Sequence, residues 1–160
     1  MAAALACVAP ATAATVAIHD PRGDAPARYD LTKVTFTNTS STLAFKAKVR
    51  GLHGGRTQIY GMSISAAGTK NWYLNLDAVR RSNGKVHSVV TGSTVGGTTT
   101  ATLCHPKVKW RLVKNTITAS FPRSCMPDAG TLQVSASTGV GNGKDGDPAD
   151  WTKTFNVAQD

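Results

Sequence analysis

Six of the nine acidic residues in this 160-residue chain fall in two short segments, and all nine are aspartate. Asp20, Asp24 and Asp30 bracket the turn-like stretch Asp20-Pro21-Arg22-Gly23-Asp24. Asp145, Asp147 and Asp150 lie in a Gly-rich stretch near the C-terminus. Carboxylate oxygens are the donors a hard cation selects, and calcium takes six to eight oxygens in a flexible shell that backbone carbonyls can complete. Calcium is therefore the cofactor these six residues would hold if the two segments converge. The same residue type also caps turns by accepting nearby backbone amides. Neither segment fits the EF-hand pattern, which closes on a glutamate.

Two rows of like charge form the second candidate. Lys46, Lys48 and Arg50 alternate with apolar residues, as do Lys107, Lys109 and Arg111. Neighbouring rows of one sign repel each other unless a polyanion neutralises them, and such a ligand would bind with strong salt dependence. An anionic cell-wall polymer, of teichoic or uronic acid type, is one such ligand. Nucleic acid is not expected, because no aromatic-laced basic motif accompanies the charges. The alternative is that lysines on strands guard sheet edges against pairing with other chains. A third candidate is the outward set of Trp72-Tyr73-Leu74-Asn75-Leu76-Asp77. There the ring of Tyr73 beside Asn75 and Asp77 could stack on a sugar and hydrogen-bond it. Trp151 directly follows the acidic stretch and suits either the core or a ligand platform.

Catalysis finds little purchase. His19, His53, His87 and His105 are scattered, no nucleophile elbow of the GxSxG type is present, and the absence of Glu excludes HExxH zinc chemistry. The chain is expected not to be an enzyme.

The elements that must position these residues are strands. Leu43, Phe45, Ala47 and Val49 alternate with Ala44, Lys46, Lys48 and Arg50, and Val108, Trp110 and Leu112 alternate with the second cationic row. Period-two alternation marks strands with one buried face. Lys114-Asn115 then turns the chain into Thr116–Phe121, whose inward set is Ile117, Ala119 and Phe121, a predicted hairpin. Further strands are predicted at 15–18, 31–38, 59–66, 71–79, 85–91, 97–103, 131–137 and 151–157, separated by Gly, Pro, Asn and Asp. No amphipathic helix is legible. Many short strands with frequent turns predict an antiparallel β-sandwich, of jelly-roll or immunoglobulin-like kind. Residues 139–150 read as its longest loop.

Residues 1–14 carry no charge and end in the small-x-small pattern Ala11-Thr12-Ala13, as an export signal does, with its basic start missing. Residues 15–160 are then one secreted domain. Its remaining cysteines, Cys104 and Cys125, read as a disulfide, worth roughly 3 kcal/mol in the chain-entropy model. No stretch of roughly eighteen apolar residues exists to span a membrane. The excess of 18 Lys and Arg over 9 acids, +9 in all, favours acidic partners.

Several short motifs follow one another along residues 16–157: the Asp20–Asp24 turn, Asp30-Leu31, Trp72–Asp77, Phe121-Pro122-Arg123-Ser124-Cys125, and Asp147 to Trp151. This layout resembles small secreted actinobacterial β-sandwich proteins. Their architecture is similar to that of family-nine carbohydrate-binding modules and DOMON domains. The resemblance implies a sandwich that binds without catalysis. The expected function is thus a secreted binding module for carbohydrate or an anionic cell-wall polymer. The alternatives are a secreted protein-interaction or inhibitor-like domain, and a small hydrolase.

Overall fold

The computed structural model describes residues 14–68, 72–94, 101–140 and 148–159. Among them there is no α-helix, and twelve strands form two antiparallel sheets packed face to face. The five-stranded sheet runs in the order β1 (Ala14–His19), β2 (Leu31–Asn38), β3 (Thr42–Val49), β9 (Thr116–Pro122) and β8 (Lys107–Arg111). The seven-stranded sheet runs β11 (Pro148–Trp151), β10 (Thr131–Val140), β4 (Gln58–Ala66), β5 (Trp72–Arg80), β6 (Val86–Thr94) and β7 (Ala101–Cys104). In it, β12 (Phe155–Ala158) pairs with the first half of β10. No helix among the described residues is long and apolar enough to cross a membrane.

Alternation explains the layers. Leu43, Phe45, Ala47 and Val49 are buried, while Lys46 and Lys48 face outward. Across the interlayer lie Tyr60, Met62 and Ile64 of β4, Leu74, Leu76 and Ala78 of β5, and Leu132, Val134 and Ala136 of β10. Phe45 is central to this packing, stacking on Phe36 at 5.8 Å and meeting Phe121 edge-on at 6.1 Å and Tyr60 at 6.2 Å. Aromatic pairs in these arrangements add to the burial energy.

The disulfide joins Cys104, at the end of the edge strand β7, to Cys125 in a short 3-10 turn that follows β9. It therefore ties one sheet to the other. Close by, Arg123 is buried and donates to Asn38 Oδ1 at 2.7 Å, to the Ala129 carbonyl at 2.7 Å and to Gln159 Oε1 at 2.6 Å. The predicted hairpin is present: β8 and β9 pair antiparallel, and Asn115 takes the left-handed conformation (φ 52°) that asparagine tolerates.

Two expectations need correction. The segment 139–150 is not one long loop, because β10 continues to Val140 and β11 pairs back onto it with a register shift at Thr138/Gly139. The last predicted strand, 151–157, is two strands broken at 152–154, where the Thr152 hydroxyl turns back to accept the Ala136 amide at 3.0 Å. Of residues 1–14, where the leader is expected, 1–13 lie outside the described residues and Ala14 is the first residue of β1.

Candidate functional site

The outer face of the five-stranded sheet gathers the cationic rows around a strip of hydroxyls. Lys46 of β3 is in register with Thr118 of β9, which is in register with Lys109 of β8. One step along, Lys48, Thr116 and Arg111 form a second rung, and Ser120 and Lys107 form a third with Ala44. On the far side, Lys33 of β2 pairs with Lys48, because a register shift between Leu31 and Lys33 turns both Leu31 and Val34 inward. None of the five strands contains an aspartate. Among the described residues, ion pairs join Arg50 to Asp30 and Arg123 to Asp128, and neither touches this face. A groove of ≈ 470 Å³ runs over the rungs between Lys46, Lys107, Lys109 and Arg111, and a second of ≈ 370 Å³ adjoins it at Lys48 and Lys114.

Edge protection does not account for this pattern. β8 is an edge strand, but β3 is interior to its sheet, and the opposite edge strand β1 has no lysine, arginine or aspartate. Arg50, grouped with Lys46 and Lys48 by alternation alone, does not join the row. β3 ends at Val49, and the Arg50 Nε lies 3.0 Å from Asp30 Oδ2.

The two acidic segments do meet at the mouth of the sandwich. Carboxylate oxygens of Asp20, Asp24 and Asp150 all lie within 4.8 Å of one another. Asp150 is fixed there by backbone amides: its Oδ2 accepts the Leu31 N–H at 2.6 Å and its Oδ1 the Trp151 N–H at 2.8 Å. Gly23, at φ +95°, bends the first segment so that its N–H reaches Asp30 Oδ2 at 2.8 Å. Asp30 is fully buried beside the cluster, and its Oδ1, like Asp20 Oδ2, has no hydrogen-bond partner. Burial, with the charges of Asp150, Asp24 and Asp30, pushes the Asp20 carboxyl up to about 6, against a small opposing pull from Lys153. Burial also raises Asp150, offset in part by the Leu31 amide. Asp145 and Asp147 lie outside the described residues.

The outer face of the seven-stranded sheet carries the third set. Tyr73 and Trp151 are both exposed on it, 42% and 52% respectively. Trp151 pairs with Ser137, Ser137 with Gly61, and Gly61 with Asp77, one line across four strands. A Cβ on Gly61 would lie 2.7 Å from Ser137 Oγ, so this position stays bare. Asn75 accepts the Ser63 hydroxyl at 3.0 Å. Asp77 is open to solvent, yet desolvation by the sheet face raises its pKa. Strand spacing and rise put Tyr73 and Trp151 about 20 Å apart. A groove of ≈ 140 Å³ lies beside Tyr73 among Ser63, Ser65, Gln133 and Ser135.

The remaining histidines assemble no metal group; among the described residues the one cluster of three or more candidate metal-ligating side chains is the aspartate triad. His105 Nδ1 lies 3.0 Å from the Ser88 carbonyl, with the ring of His87 6.4 Å away. An apolar groove of ≈ 390 Å³ beside the disulfide, between Trp72, Leu103 and Met126, has no signal in the alternation pattern. The chain matches no model of a known protein family, and no curated protein matches it.

Proposed function

We propose that the protein is an extracellular, noncatalytic binding module for an anionic cell-wall polymer, held on the outer face of the five-stranded sheet. The carrying observation is the acid-free double row, Lys46 and Lys48 on one side of β9 and Lys109 and Arg111 on the other, with Thr116 and Thr118 between. Unneutralised cations this close cost stability through mutual repulsion, and a polyanion laid between the rows reverses that cost. The surface is a sheet face rather than a cleft, as suits a long chain ligand. Wild-type protein should bind purified anionic wall polymer and leave neutral dextran in solution. Lys46→Glu with Lys109→Glu should abolish binding while circular dichroism stays unchanged. Retained binding in that doubly reversed variant would reject the reading.

The opposite face supports a second reading, a neutral sugar chain stacked on Tyr73 and Trp151 over a floor of serines and amides, because both rings are exposed on the same side of one sheet. Trp151→Ala should then weaken binding to uncharged wall glycan without changing polyanion binding. The acidic corner supports calcium as a structural ion. Three carboxylates converge there, and buried oxygens of Asp20 and Asp30 have no partner of their own.

A further inference from the structure

Resting on the polyanion reading, we infer that the polymer is a polyol phosphate: a base-free chain with a phosphodiester every three carbons. The inference comes from the period of the rungs. Lys46 and Lys48 are two residues apart on β3, as are Lys107, Lys109 and Arg111 on β8, and the pairing through β9 keeps the two rows level. Two residues of strand advance about 6.6–6.8 Å, and the two rows stand about 9.5 Å apart across β9.

Two residues of extended peptide contain six backbone bonds. One glycerol phosphate repeat also contains six: two P–O, two O–C and two C–C. Bonds of similar length and angle give the two chains nearly the same extended repeat, about 7 Å, so successive phosphates fall on successive rungs. A 1,4-linked uronic acid chain advances by five bonds threaded through a puckered ring. Its repeat is shorter, and it drifts out of step across three rungs.

The make-up of the two rungs that carry a cation on both sides agrees. A phosphodiester spreads one negative charge over two free oxygens on opposite sides of the chain. Lys46 and Lys109 can each approach one, with the Thr118 hydroxyl beneath as a further donor. A ring carboxylate projects to one side and meets one row.

Single-stranded nucleic acid shares the phosphodiester, but its affinity leans on aromatic platforms that stack the bases. The aromatic residues of these five strands are Phe36, Phe45, Trp110 and Phe121, and all four turn into the core. The outward residues around the rungs are Thr35, Thr37, Thr118 and Ser120, which offer hydroxyls to a chain of polyol and phosphate.

The test titrates the full protein with poly(glycerol phosphate), polygalacturonate and oligo(dT), matched for length and charge at one ionic strength. The phosphate polymer should bind most tightly, with affinity rising steeply up to three repeats. Thr118→Val keeps every charge and the β-branched shape. It should lower affinity for the phosphate polymer about tenfold, the worth of one hydrogen bond to a charged group, and leave polygalacturonate unchanged. Equal affinity for polygalacturonate, or an equal loss for both polymers in Thr118→Val, would overturn the inference while leaving the polyanion reading standing. Oligo(dT) binding as tightly as poly(glycerol phosphate) would overturn the base-free assignment. Binding to none of the three would overturn the inference and the polyanion reading together.

Discussion

Neutralising one rung should change the salt dependence of binding by a calculable amount. The ladder presents Lys46, Lys48, Lys107, Lys109 and Arg111. If each of these five displaces counterions as cations do on a single-stranded polyelectrolyte, the slope of log K against log salt is about −0.7 × 5, or −3.5. That is an upper limit in magnitude, because charges spaced more widely than in nucleic acid condense fewer counterions. Raising salt from 50 to 200 mM should then weaken wild-type binding by about 100-fold. Lys46→Gln with Lys109→Gln removes two of the five cations, which leaves a slope of about −2.1 and a loss of about 20-fold over the same range. Both residues are solvent-facing on strands whose opposite faces hold the core, so the fold should tolerate the change. Titration calorimetry at four salt concentrations supplies the slopes. A wild-type slope near zero, or an unaltered slope in the variant, would refute the argument that these side chains meet the ligand's charges.

At the acidic corner the sign is fixed by a raised carboxyl. With Asp20 lifted from 3.8 to about 6 in the folded protein, the stability it contributes is present below about pH 4 and lost as pH rises through 6. In EDTA, Asp20→Asn should therefore be more stable than wild type at pH 7.5, by about 1–2 kcal/mol after allowance for solvent screening, and the gain should vanish near pH 4 in urea denaturation. Calcium should raise the melting temperature of wild type, and Asp24→Asn should remove most of that rise; identical melting in calcium and EDTA would count against the ion. At the other end of the sandwich, Arg123→Met leaves Asn38, Ala129 and Gln159 without their shared donor. A loss of about 3 kcal/mol is expected, with no rescue by Arg123→Lys because one ammonium cannot span the three acceptors.

Strands were legible in the sequence wherever one face meets the core and the other meets water. The alternation in Leu43–Val49 and Thr116–Phe121 placed β3 and β9 to within a residue at each end. Where glycine and aspartate replace that alternation the signal fails, so the end of β10 and all of β11 before Trp151 read as loop. Charge type was equally plain, but charge location was not. The rows of β3 and β8 are about sixty residues apart in sequence and become one site only because β9 inserts between them. Arg50 shows the converse, since alternation runs one residue past the end of its strand and the buried Asp30 takes the side chain. The convergence of Asp20, Asp24 and Asp150 needed the first and last segments to lie together, a condition that the clustering of aspartate along the chain could state but not settle. The buried Arg123 knot carried no local mark, because its partners Asn38 and Gln159 come from opposite ends of the chain.

Which face of the sandwich meets polymer is the question that decides the account. Backbone amide shifts recorded while poly(glycerol phosphate) is added to isotopically labelled protein should move at Lys46, Lys48, Thr116, Thr118 and Lys109, and should stay still at Tyr73, Asn75 and Trp151. Shifts centred instead on Tyr73 and Trp151, or on the apolar groove at Trp72 and Leu103, would contradict it.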